Sequence, residues 1–140
     1  MEDLLKLRDE IDAIDNEIVS LYEKRMKIVL NPSPFNEKLD ACDLKKISLF
    51  LLNEVEGEQL TGKTESEEIL SELKKKFPNA EIVLTLGKDG ATYCGNGVEY
   101  HQPAFEVQAV DTTAAGDTFT GYFLAGILEG MPIEEVMRRS

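Results

Sequence analysis

A chain of 140 residues with 42% apolar content is long enough to bury one ordinary core and too apolar to stay disordered. Its net charge of −12 argues against nucleic acid as a partner, because phosphate contacts need clustered Lys and Arg. The run Ile47 to Leu52, broken by Ser48, is too short to span a bilayer, and no apolar stretch follows a basic start. No membrane partner is therefore expected, and the expected location is the cytoplasm.

The first segment, Met1 to about Ile28, contains no Gly and no Pro. Its apolar positions Leu4, Leu7, Ile11, Ile14, Ile18, Leu21 and Ile28 alternate in steps of three and four, with Arg25 in the one gap. That stripe predicts one long amphipathic N-terminal helix. Burying a Leu or Ile side chain contributes about 1.5–3 kcal/mol, so the stripe should find cover. We expect a homo-oligomer held partly through residues 4–28.

The pattern changes at Ile28-Val29-Leu30, a short β-branched run ended by Asn31-Pro32-Ser33-Pro34. Glu37 to Asp43 reads as a short helix and Ile47 to Leu52 as a buried strand. A helical turn over Glu56 to Leu60 ends at Gly62, and an amphipathic helix over Glu65 to Phe77 closes at Pro78-Asn79. Glu81 to Leu86 is a strand leading into Gly87-Lys88-Asp89-Gly90. Ala91 to Cys94 and Val98 to His101 flank Gly95-Asn96-Gly97, a strong hairpin signal. Phe105 to Val110 reads as a further strand, Ala114 to Leu128 as a Gly/Ala-rich helix, and Met131-Pro132 opens a last helix. Alternating strands and helices imply an α/β domain with a mainly parallel sheet flanked by helices. Cys42 and Cys94 have neither CxxC spacing nor a His cluster, so a zinc site or disulfide is not expected. His101 reads as a surface residue, and Lys74-Lys75-Lys76 as the solvated last turn of a helix, favourable to its dipole.

An acidic protein that binds a polyanion must use backbone N–H groups, helix N-termini and a divalent cation. The stretch Asp111-Thr112-Thr113-Ala114-Ala115-Gly116-Asp117-Thr118-Phe119 offers them. Ala114, Ala115 and Gly116 leave their N–H groups open where a helix starts, which is the layout of an anion hole. Asp117 at its mouth suits a general base, and it suits equally a helix cap, as does Asp111. The residues alone leave both readings open.

The same stretch resembles the C-terminal signature of the ribokinase/fructokinase carbohydrate kinases, with Ala114 where most members have Gly. The resemblance implies Asp117 as catalytic base, the Ala114, Ala115 and Gly116 amides as anion hole, and Asp111 and Thr113 as ligands of a monovalent cation, K+. Three upstream stretches fall in the family's order. Asn31-Pro32-Ser33-Pro34 is similar to its Asn-Pro-x-Pro strand end. Asn53-Glu54-Val55-Glu56 resembles its Asn-x-x-Glu motif, implying Asn53 and Glu56 around Mg2+ and phosphate. Thr85-Leu86-Gly87-Lys88-Asp89-Gly90 matches its Thr-Leu-Gly-x-x-Gly, implying Thr85 and Gly87 beside the nucleotide phosphates.

Residues 29–140 are thus expected to form a partial ribokinase-like fold that binds ATP and Mg2+ and transfers a phosphoryl group to a sugar hydroxyl. The family's N-terminal half, which carries most of the sugar contacts, has no counterpart here. Residues 1–28 instead resemble the first helix of the all-helical chorismate mutases through Leu4-Leu5-Lys6-Leu7-Arg8-Asp9-Glu10-Ile11-Asp12 and Leu21-Tyr22-Glu23-Lys24-Arg25. That likeness implies carboxylate-gripping roles for Arg8 and Arg25 and makes the chain look like a chimera. With only one such helix present, mutase activity is not expected. The alternative to an active kinase is a non-catalytic hybrid that assembles through this helix.

Overall fold

The computed structural model describes residues 1–25, 27–32, 38–39, 43–105 and 115–140. Its first element is the expected long helix, α1 (Glu2–Arg25). The strand β1 (Val29–Leu30) follows, then β2 (Leu49–Asn53), α2 (Glu54–Thr61), α3 (Ser66–Lys76) and β3 (Glu81–Thr85). The hairpin β4 (Ala91–Gly95) and β5 (Val98–Gln102) turns through Asn96 and Gly97, both at positive φ. The helices α4 (Ala115–Leu128) and α5 (Ile133–Arg139) follow, and single 3-10 turns lie at Leu44–Lys46 and Gly87–Asp89. The expected strand over 105–110 and most of the expected helix over 37–43 lie outside the described residues.

Five strands make one sheet in the order β1-β2-β3-β4-β5. The pairs β1–β2 and β2–β3 are parallel. The pairs β3–β4 and β4–β5 are antiparallel, as the short hairpin turn requires. Side chains alternate between the faces, and β2 shows the consequence. Its Leu49 and Leu51 join Val83, Ala91 and Tyr93 under α4 and α5, where Phe123, Val136 and Met137 are buried. Its Phe50 and Leu52 join Ile82 and Leu84 under α3, against Ile69, Leu70 and Leu73. A strand buried on both faces reads as a continuous apolar run, which is why Ile47 to Leu52 shows no alternation.

Local chemistry fixes the helix ends. The Asn53 side chain accepts from the Glu56 N–H at 2.8 Å, and the Glu56 carboxylate accepts from the Asn53 N–H at 3.0 Å. This reciprocal capping box starts α2 at Glu54, two residues before the expected turn. Gly57 lets α2 approach α3, since a Cβ there would fall 2.7 Å from Ile69 Cγ2. At the α3 terminus Lys75 and Lys76 are exposed, as expected, and Lys74 is half-buried. Lys74 Nζ donates to the Ala80 carbonyl at 2.9 Å, and Lys76 Nζ to that of Leu60 at 3.0 Å.

At the N-terminal end of β3, Glu81 accepts from the Tyr93 hydroxyl at 2.8 Å and from Lys27 Nζ at 3.1 Å. Burial first, then this hydrogen bond and the Glu81 charge, push the Tyr93 phenol well above its ordinary range. Burial likewise raises the Cys94 thiol above its ordinary range. His101 is exposed on β5, with Nδ1 2.9 Å from Thr92 Oγ1.

The helix α1 stands apart from this packing. Every side chain from residue 1 to 22 is exposed, including Leu4, Leu7, Ile11, Ile14, Ile18 and Leu21. No described helix is long and apolar enough to cross a membrane.

Candidate active site

The three parallel strands end on the same side of the sheet, and in open α/β sheets that edge is where ligands bind. Asn31 follows β1 directly, Asn53 ends β2, and Thr85 ends β3 in register with Asn53. The Thr85 hydroxyl donates to the Leu52 carbonyl at 3.3 Å, holding these two strand ends together. The N-terminal end of α2 opens at the same place, because Asn53 is its cap. The first two turns of α4 close the opposite side, contributing Gly116, Asp117, Phe119 and Thr120. Between these walls lies an open cleft lined also by Asn31, Leu51, Leu52, Asn53, Glu56 and Thr85.

Five residues expected at the site, Asn53, Glu56, Thr85, Gly116 and Asp117, therefore meet in one cleft although they span more than sixty positions of sequence. Ala115 is the first residue of α4 and is exposed. The leading N–H groups of a helix have no intrahelical partner, and the dipole there attracts negative charge. At Gly116 a Cβ would meet no atom of the described residues within 4 Å. Asp117 is exposed in the first turn. Glu56 is different, 5% exposed, with one carboxylate oxygen already accepting from the Asn53 amide. Its carboxylate thus builds α2 before it can serve any ligand.

The other expectations fare differently. Gly87 does not line the cleft; it opens the exposed turn Gly87–Asp89 after β3. The second glycine of that motif, Gly90, is the more constrained, with φ of 95° and its α-carbon against the Gln102 carbonyl, where no side chain fits. Asp111, Thr113 and Ala114 lie outside the described residues. Arg8 is exposed on α1 and takes no part in the cleft, and the Arg25 side chain lies outside the description.

The sequence reading gave no role to Thr120, whose hydroxyl donates to the Gly116 carbonyl at 3.0 Å and accepts from Asn31 Nδ2 at 3.3 Å. Asn31 is thereby tied across the cleft to the first turn of α4. The available signal was the four-residue spacing of Gly116 and Thr120, which suits a hydroxyl bonding back along a helix.

The donors facing the cleft are carboxylate and amide oxygens, the set that suits a hard cation such as Mg2+. Among the described residues no three His, Cys, Asp or Glu side chains cluster to hold a metal by themselves. The fit is to an ion that arrives with phosphate oxygens and keeps most of its waters.

Deoxyribokinase of Salmonella typhi is 30% identical over 98% of this chain and 46% of that enzyme. Ribokinase of Lactococcus lactis is 32% identical over 96% of this chain and 44% of that enzyme. This chain thus spans less than half the length of either relative. Among solved structures, ribokinase of Cryptococcus neoformans in complex with ADP superposes with a TM-score of 0.69 at 29% identity, covering 81% of this chain and 42% of that one. Arabidopsis thaliana ribokinase, solved with ribose and ATP, gives a TM-score of 0.68 at 28% identity, covering 91% and 43%. The sequence pattern of the pfkB family carbohydrate kinases matches residues 13–140, so the match enters α1 and runs through every strand and helix that frames the cleft. This chain belongs to the pfkB family of carbohydrate kinases.

Proposed function

We propose that residues 29–140 are the nucleotide-binding, phosphoryl-transferring part of an ATP-dependent sugar kinase. The observation that carries this reading is the convergence of Asn53, Glu56, Thr85, Gly116 and Asp117 on one cleft at the strand ends. The open N–H groups of Ala115 and Gly116, with Ala114 before them, hold the γ-phosphate and receive the charge that builds on it during transfer. Asp117 takes the proton from the sugar hydroxyl as its oxygen bonds to the γ-phosphorus. The bond to the bridging oxygen breaks, ADP departs, and the proton passes to solvent. Asn53, and Glu56 through water, would hold a Mg2+, which would supply positive charge to neutralise the phosphate oxygens. Asp111 and Thr113 are proposed for a monovalent cation, K+, and Thr85 for the phosphates. The names of the relatives make ribose and deoxyribose the first substrates to try.

Amide shifts in 1H–15N spectra on adding MgATP test this reading. Shifts confined to Asn31, Asn53, Glu56, Thr85 and residues 115–120 support it. A spectrum that does not change, or shifts confined to the far face of α3, would reject it.

A second reading is favoured by one observation, the uncovered apolar stripe of α1. In it the chain is a non-catalytic hybrid that oligomerises through residues 4–28, a segment that resembles a chorismate mutase helix. The kinase match from residue 13 onward weighs against a junction near Val29. Assembly through α1 is compatible with either origin of the helix.

A further inference from the structure

We propose that α1 pairs with α1 of a second copy of this chain in antiparallel orientation, with Ile11 layered against the partner's Ile14. The inference deepens the assembly reading above and rests on it. Leu4, Ile11 and Ile18 occupy one seam position of the heptad, and Leu7, Ile14 and Leu21 the other. All six are between 53% and 65% exposed, and the sheet covers none of them. An antiparallel pair matches the two series in layers: Leu4 on the partner's Leu21, Leu7 on the partner's Ile18, and Ile11 on the partner's Ile14.

The charges beside the seam decide the orientation. Asp3, Glu10, Glu17 and position 24, a lysine, flank one side; Arg8, Asp15 and Tyr22 flank the other. Antiparallel helices bring like flanks together. Position 3, an aspartate, then falls in register with the partner's position 24, a lysine, and position 8, an arginine, with the partner's position 15, an aspartate, each twice by symmetry. Glu10 against the partner's Glu17 is the one like-charge contact, also repeated. A parallel pair in register keeps only Asp3 beside the partner's Arg8 and sets Glu10 against the partner's Asp15. Attraction outnumbers repulsion two to one in the first arrangement and only equals it in the second.

The rest of the chain adds to the preference. Residues 1–28 hold 8 acidic and 5 basic side chains, a charge of −3, which leaves −9 of the total −12 on residues 29–140. A parallel pair releases both acidic segments from the same end of the helices. An antiparallel pair releases them from opposite ends, separated by about 36 Å for 24 residues, several screening lengths at physiological salt.

The test uses the whole chain with Cys42→Ser and Cys94→Ser, to which Leu7→Cys or Ile18→Cys is added. Both added thiols replace exposed side chains, and far-UV circular dichroism checks that the fold is retained. Under mild oxidation a mixture of the two variants should form interchain disulfides, while neither variant alone should do so. Analytical ultracentrifugation of the parent should give a dimer at high micromolar concentration. A monomer overturns assembly through α1 itself. A dimer in which Leu7→Cys cross-links alone overturns the orientation only. A dimer that cross-links in no sample places the interface elsewhere and overturns the proposal.

Discussion

The sheet and α1 draw on similar apolar residues and end in opposite states. Phe50 and Leu52 of β2 point into one layer of helices and Leu49 and Leu51 into the other, and all four are buried. Leu4, Leu7, Ile11 and Ile14 of α1 are spaced as regularly and all are exposed. A period identifies a face, whereas burial needs a second surface; β2 meets one on each side, and α1 meets none among the described residues. Residues of the first kind carry the stability of the fold. Residues of the second kind are free to serve assembly, and substitutions should divide along that line.

The largest effect should come from the sheet. Phe50 is fully buried and stacks near Phe77 with ring centroids 4.7 Å apart. Phe50→Ala should lower the unfolding free energy by about 3–5 kcal/mol, measured by urea denaturation. A loss below 1 kcal/mol would mean that this layer is not packed as described. Next comes the junction of fold and site. Glu56→Ala removes half of the capping box, and the expected loss is about 0.5–2 kcal/mol. Glu56→Gln retains an oxygen that can accept from the Asn53 N–H, so stability should largely return while the charge offered to Mg2+ is gone. If both variants lost the same stability, the cap would not be the main structural role of Glu56. The smallest effect on folding should come from α1. Ile14→Asp should leave the urea midpoint of the sheet unchanged within error while turning the oligomer into a monomer by ultracentrifugation. A shift in that midpoint as large as that of Phe50→Ala would show α1 to be part of the core.

Much of the architecture was legible because it is written in local patterns. Gly95-Asn96-Gly97 announces the hairpin, and the helix over 66–76 announces itself by period. The apolar pattern of α2 begins after its true start, which the reciprocal cap between Asn53 and Glu56 sets at Glu54. The site was legible as separate motifs. Its closure was not, because the bond between Asn31 and Thr120 joins positions 89 apart, and no local pattern carries that information. The exposure of α1 was equally invisible, since a stripe has the same spacing whether or not something covers it.

In the proposed mechanism the N-terminal end of α4 binds phosphate through its backbone while Asp117 serves proton transfer. Isothermal titration of MgATP into the parent, Asp117→Asn and Gly116→Val tests it most directly. Loss of the carboxylate removes a negative charge near the phosphates, so Asp117→Asn should bind at least as tightly as the parent, and any ADP formation should be abolished. A valine at 116 adds a branched side chain beside the leading N–H groups of α4 and should weaken binding by about tenfold or more. Binding that disappears in Asp117→Asn and persists in Gly116→Val would contradict the account.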